Sequence, residues 1–213
     1  MRTTESLAAV AARVGVDPAA LGAVLDVESA GVGLINGLPV IRLEVHKLWD
    51  HASAVARPQV DARFHVDGYD PGKPRTGPAK RWLGHRWLDN EGVWRALHQP
   101  GAAGQALEWS AYRVASQIDP IATILATSFG LAQILGEHWR DCGFASPESF
   151  VAAQYTEDGQ IESLAKLIQS SNTLLSALRG YDWPAFALRY NGSGQVDYYA
   201  GRLSAAYAKR KAR

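Results

Sequence analysis

Capping signals crowd the second half of this chain. From Gln105 onward one amphipathic stretch follows another. Asp119-Pro120 and Ser146-Pro147 each place a side-chain acceptor before a ring whose fixed φ suits a first helical turn. The spacing predicts helices over 107–117, from Pro120 to about Ser128, over 130–140 with Gly143 as the stop, and onward from Ser146. Ile161, Leu164, Ala165 and Ile168, continued by Leu175 and Leu178, predict one long helix over 161–178. Asp182 caps a shorter helix to Tyr190, and a last helix runs from Val196 to the end. So many helices leave little chain for a large sheet, and the class expected is mostly α with a minor β component.

The first half adds two helices and a hairpin. Leu7, Val10, Ala11 and Val14 share one helical face, and Gly15 ends it. Asp17-Pro18 opens a second helix carrying Leu21, Val24 and Leu25 on one side. Asn36-Gly37 is the preferred pair for a tight two-residue turn. It joins Val32–Ile35 to Leu38–Leu43 as a short hairpin. If the second arm persists, Arg42, Glu44 and His46 share a face. Residues 52–92 hold Pro58, Pro71, Pro74 and Pro78 with scattered aromatics and no sustained period. They predict a long irregular loop.

The 213 residues suit one domain, taken as 1–213. A 47% hydrophobic share can fill a core, and a net charge of +1 gives no field that favours nucleic acid. Lys209, Arg210, Lys211 and Arg213 read as a solvated helix end. The lone cysteine, Cys142, excludes an internal disulfide and reads as a packed core thiol. No apolar run predicts stable membrane insertion, and the N-terminus lacks the plan of an export signal. The six histidines show no zinc-binding spacing, so no metal is expected.

One carboxylate stands where chemistry would want it. Glu28 follows Leu21, Val24 and Leu25 at helical spacing, which carries it to the apolar face at the helix C-terminal end. Burial and the negative end of the helix dipole both disfavour its charged form. A carboxyl protonated near neutral pH is what a glycosidase needs to protonate a leaving oxygen. On spacing alone, the commoner reading is a polar helix border. Glu44, flanked by Arg42 and His46, would stay ionised and suit a base or charge stabiliser. On the same grounds it also reads as a surface salt bridge.

Four segments in order change those odds: Val27-Glu28-Ser29, Arg42-Leu43-Glu44-Val45-His46, Ser128-Phe129-Gly130-Leu131-Ala132-Gln133-Ile134, and Arg189-Tyr190-Asn191-Gly192. Their order resembles the lysozyme-like superfamily of goose-type lysozymes and lytic transglycosylases. With Gly136 and Asp182-Trp183 added, the pattern is similar to the N-acetylmuramidase family of phage endolysins, over roughly residues 17–207.

The resemblance implies a lysozyme-like helical domain with a small β-hairpin after the catalytic helix. It implies hydrolysis of the β-1,4 bond between N-acetylmuramic acid and N-acetylglucosamine in peptidoglycan strands, without metal or organic cofactor. Glu28 matches the family's catalytic glutamate. Glu44 matches the glutamate of the family's Phe-Glu-x-His segment, with Leu43 in the aromatic position and His46 completing it. Phe129 stands where Trp is common and implies an aromatic wall to the cleft.

Gly130 is expected to let the sugar approach closely, or to allow tight helix packing. Gln133, on the first turn of its helix, would hold an N-acetyl or hydroxyl group. Tyr190 would donate to the acid or the sugar, or be a buried aromatic with a satisfied hydroxyl. Asn191 would edge the cleft. A monomer made in the bacterial cytoplasm and released to the wall through a separate pore completes the expectation. Three alternatives remain: a lytic transglycosylase leaving 1,6-anhydro ends, a wall-binding or virion protein without activity, and a chitinase-like enzyme, since chitin shares the N-acetylglucosamine unit.

Overall fold

The computed structural model describes residues 4–29, 31–66 and 84–212. Helix α1 (Thr4–Val14) ends at Gly15, which takes φ +71, and α2 (Pro18–Ser29) follows. Asp17 Oδ1 accepts from the Ala19 N–H at 2.8 Å, so the Asp-Pro start works as the sequence predicts. The tight turn is also local chemistry. Asn36 and Gly37 adopt φ 53 and 76, and β1 (Leu34–Ile35) pairs antiparallel with β2 (Leu38–Pro39).

The hairpin's second arm is shorter than expected. After Val40 the chain leaves its partner, and β3 (Ile41–Leu43) pairs with a strand far along the sequence. Glu44 then stands at the N-cap position of α3 (Val45–His51) without a side-chain bond to it, so the alternation of Arg42, Glu44 and His46 is not that of one continuous strand. The stretch expected to be irregular also contains order. It holds α4 (Arg57–Arg63), with Pro58 in its first turn, β4 (Phe64–Val66) and β5 (His85–Leu88). These elements are too short for a period to show; residues 67–83 of that stretch lie outside the described residues. Strand β6 (Trp94–Ala96) completes an antiparallel sheet in the order β4-β5-β6.

The long α5 (Gly101–Ile118) and short α6 (Pro120–Leu125) lead to the largest departure from expectation. In place of a helix over 130–140 there are β7 (Thr127–Phe129), a turn, β8 (Ile134–Leu135) and a 3-10 turn at Gly136–His138. Gly130 at φ +70 and Gln133 at φ 48 are incompatible with a helix there. The sheet runs β3-β7-β8, with Ile41 opposite Phe129 and Leu43 opposite Thr127. The remaining helices are α7 (Pro147–Ala153), α8 (Glu157–Ser170), α9 (Asn172–Arg179), α10 (Trp183–Asn191) and α11 (Val196–Lys211). The helix expected over 161–178 is two helices. The Ser171 hydroxyl accepts from the Leu174 N–H and starts a new one where the apolar spacing continues.

Two apolar clusters hold these elements. The larger joins α1, α2 and α8–α11, with Leu21, Leu25, Ile161, Ile168 and Phe186 at its centre and Cys142 fully buried in it. The smaller gathers Leu43, Leu48, Val60, Phe64 and Trp87 with the inner side of α5. Strand β3 contributes Ile41 to the first and Leu43 to the second. Among the described residues, no single helix is long and apolar enough to cross a membrane.

Candidate active site

A cleft of about 520 Å³ opens where the end of α2 meets β3, the β7–β8 turn and the start of α11. Glu28, Arg42, Glu44, His46, Lys47, Gln133 and Asn191 line it. A second hollow of about 210 Å³ shares Ser128, Gln133 and Leu135 with it and continues towards Tyr190 and Arg189. Together they form a groove rather than a closed hole, which suits an extended polymer.

Glu28 sits on the last turn of α2, carried there by a helix whose inner face is buried from Ala20 to Val27. Burial pushes its carboxyl up to about 7. A hydrogen bond from Asn191 and the charge of Arg202 act in the opposite sense and are outweighed. Asn191 Nδ2 donates to Glu28 Oε1 at 2.9 Å, so the end of α10 orients the acid.

Glu44 has the opposite character. Burial disfavours its charge, but Arg42, His98, His85 and His46 together hold the carboxyl below the ordinary glutamate range. Burial also drives His46 and His98 down to about 4, so both are neutral at pH 7. Arg42 is a permanent cation beside Glu44, with Nε 2.8 Å from Oε1, and heads the charges that favour its ionised form. The cleft thus carries one protonated and one ionised carboxyl, as two different environments dictate.

The other residues expected at the site divide sharply. His46 lines the cleft, and its Nδ1 is 3.7 Å from Glu44 Oε2. Gln133 also lines it, from a turn and not from a helix. Its Nε2 donates to the carbonyls of Gly130 at 2.9 Å and Val40 at 3.3 Å, which leaves the amide oxygen for a ligand.

Phe129 does not wall the cleft. It is 1% exposed and meets Tyr112 and Phe150 edge to face, because its strand position points it into the larger core. Gly130 does not lie open to a sugar either. A Cβ there would stand 2.5 Å from Gln160 Cδ, so the residue serves its turn and the buried Gln160. Gln160 Oε1 accepts from the Leu131 N–H at 2.8 Å, and its Nε2 donates to the Gly33 carbonyl, which ties the β7–β8 turn to the hairpin. Tyr190 spends its hydroxyl on the Ala132 carbonyl at 2.8 Å, and burial with the nearby Glu28 charge raises its pKa well above the ordinary value.

Several residues of consequence carry no sequence signal. Buried Glu108 accepts from the backbone N–H of Leu43 at 3.0 Å and of His98 at 2.7 Å, bracing the strand behind Glu44. Burial raises its carboxyl to about 7 against those two bonds. Glu137 binds Lys47 at 2.7 Å and His51 at 2.9 Å, fixing the lysine at the cleft rim. Glu44, His85 and His98 present donor atoms within 4.8 Å of one another, a group able to hold a cation.

The profile of the N-acetylmuramidase family matches residues 17–211. The chain belongs to the N-acetylmuramidase family. The family acts on peptidoglycan, so this member is a peptidoglycan hydrolase of the glycosidase class. Among solved structures, the crystal structure of the Burkholderia AP3 phage endolysin is similar at 28% identity and a TM-score of 0.73. The match covers 100% of this chain and 72% of that one. The fold is accordingly mostly α with small antiparallel sheets, and it matches the fold of that endolysin. No curated protein sequence matches.

Proposed function

We propose that this muramidase hydrolyses the β-1,4 bond between N-acetylmuramic acid and N-acetylglucosamine, with Glu28 as the general acid. The observation that carries the reading is Glu28 itself, a carboxyl protonated up to about pH 7 at the wall of an open groove. In that state it gives its proton to the glycosidic oxygen as the bond to the leaving sugar breaks. Asn191 holds Oε1, so the proton is offered from the other oxygen in a fixed direction. The ionised Glu44 supplies negative charge that favours an oxocarbenium-like centre in the same cleft. Water completes the cleavage, its hydroxyl going to the new reducing end and its proton restoring the acid.

The glycan strand runs through the continuous groove. The Gln133 amide oxygen accepts from an N-acetyl N–H or a sugar hydroxyl, and His46 lies on the Glu44 side of that path. The place of action is the bacterial cell wall, as for an endolysin, and one chain holds the whole site.

Purified peptidoglycan digested by the wild type and by Glu28→Gln, with the released ends identified by mass spectrometry, tests this. Reducing N-acetylmuramic ends from the wild type alone are expected. Anhydro ends would move the enzyme to the transglycosylases. No products from the wild type would point to a wall-binding protein, and equal activity in the variant would remove Glu28 from the role.

A further inference from the structure

We propose that Glu44, His85 and His98 form a binding site for a divalent transition ion of the zinc class, in the wall behind the cleft. The three residues come from separate elements. Glu44 lies at the junction of β3 and α3, His85 opens β5, and His98 lies between β6 and α5. Their donor atoms nevertheless fall within 4.8 Å of one another.

The distances favour shared ligation over hydrogen bonding. His85 Nδ1 stands 3.7 Å from Glu44 Oε2, beyond a good hydrogen bond. Ligands at ordinary zinc distances around one tetrahedral ion stand roughly 3.3 Å apart, so the His85–Glu44 pair needs little movement and a pair at the 4.8 Å limit must close by about 1.5 Å. Two imidazoles and one carboxylate, with a fourth position left to water, make a chemically ordinary zinc set.

The tautomer of His98 is also set for it. Its Nε2 is 3.1 Å from the Leu43 carbonyl, which only accepts, so Nε2 carries the proton. Nδ1 is then the lone-pair nitrogen, and it is buried without a hydrogen-bond partner. Histidine ligands characteristically donate their second nitrogen to a backbone carbonyl in this way. His98 further holds an uncommon φ of 62, with its N–H fixed by Glu108 at 2.7 Å.

Arg42 occupies Glu44 Oε1, which makes Oε2 the ligand atom and Glu44 monodentate. His46 Nδ1, also buried without a hydrogen-bond partner and 3.7 Å from the same oxygen, stands nearest as a fourth donor. An ion here joins β5 and the segment before α5 to the strand carrying Arg42. Its binding does not depend on the assignment of Glu28, and a bound dication offsets the Glu44 charge, so the charge-stabilising role of Glu44 described above belongs to the metal-free chain.

The test uses the full chain, stripped with a chelator and titrated with zinc. Metal content is read by mass spectrometry and Tm by calorimetry. One ion per chain and a Tm rise of several degrees are expected, with both lost in His85→Gln and in His98→Gln. Cobalt(II) added to the unaltered chain should give the intense visible absorption of a tetrahedral nitrogen–oxygen site, a readout that needs no variant to fold. No stoichiometric zinc in the wild type, or weak octahedral cobalt absorption, overturns the site. So does an ion retained at full stoichiometry by folded His85→Gln, which would place it on other residues.

Discussion

Asn191 Nδ2 donates to Glu28 Oε1 across 2.9 Å, joining the last residue of α10 to the last turn of α2. The bond stabilises the charged form of Glu28, and burial overrides it. The acid is therefore held by a contact that orients it more than it ionises it.

Asn191→Ala removes a factor that lowers the Glu28 pKa. That pKa should rise, and the alkaline limb of kcat should move to higher pH. The lost orientation should cut kcat by about 10-fold to 100-fold. A pH–rate profile on soluble glycan fragments reads both effects. An unmoved alkaline limb would show that Asn191 does not act through Glu28.

Glu28→Gln should lose on the order of 10²–10⁴ in activity, the usual range for a general acid. Its effect on stability depends on pH. The carboxyl has an ordinary value of 4.5 and stands at about 7 in the fold, so folding favours the protonated form. Its contribution is full below 4.5 and is lost as pH rises through about 7. That gap corresponds to about 3–4 kcal/mol, from which glutamine is exempt. Urea denaturation at acid pH and at pH 8 should show the variant gaining on the wild type as pH rises. A constant difference between the two pH values would contradict the buried-acid assignment.

Phe129→Leu distinguishes a core residue from a cleft wall. It opens space between Tyr112 and Phe150 and should cost about 1–3 kcal/mol. KM for glycan fragments should stay within 2-fold, since the ring is buried away from the cleft. A raised KM with unchanged stability would return the ring to the substrate.

Tyr190→Phe deletes the hydroxyl that donates to Ala132. A stability loss of about 1 kcal/mol is expected, with the acceptor's burial setting the size. The kcat should change by less than about 5-fold, because the hydroxyl is committed to backbone and not to Glu28. A 100-fold drop in kcat with normal stability would make Tyr190 part of the chemistry.

Features read correctly from sequence share a local cause. Asp17 before Pro18, Ser146 before Pro147, Asp182 before Trp183 and the Asn36-Gly37 turn satisfy backbone groups within four residues. Helical spacing carried Glu28 to the apolar side of its helix, but spacing alone favoured a polar helix border, and the four ordered segments singled it out. Where the apolar period ran on through Ser171, one helix was expected and a capping hydroxyl made two. Over 130–140 the apolar spacing imitated a helix that two positive φ angles forbid. Phe129 and Gly130 sat in the right motif, but strand direction turned one inward and Gln160 closed over the other. Glu108, His85 and His98 were beyond reach, since only tertiary pairing brings them behind Glu44.

Strand β3 is three residues long, yet it supplies Ile41 to one apolar cluster and Leu43 to the other, while Arg42 between them reaches the cleft. Neither half can melt alone without stripping that strand from β7. The molecule should therefore lose its structure in one cooperative step. Damage deep in either half should then register as a change in cleft width, even where no substrate-facing atom has been touched.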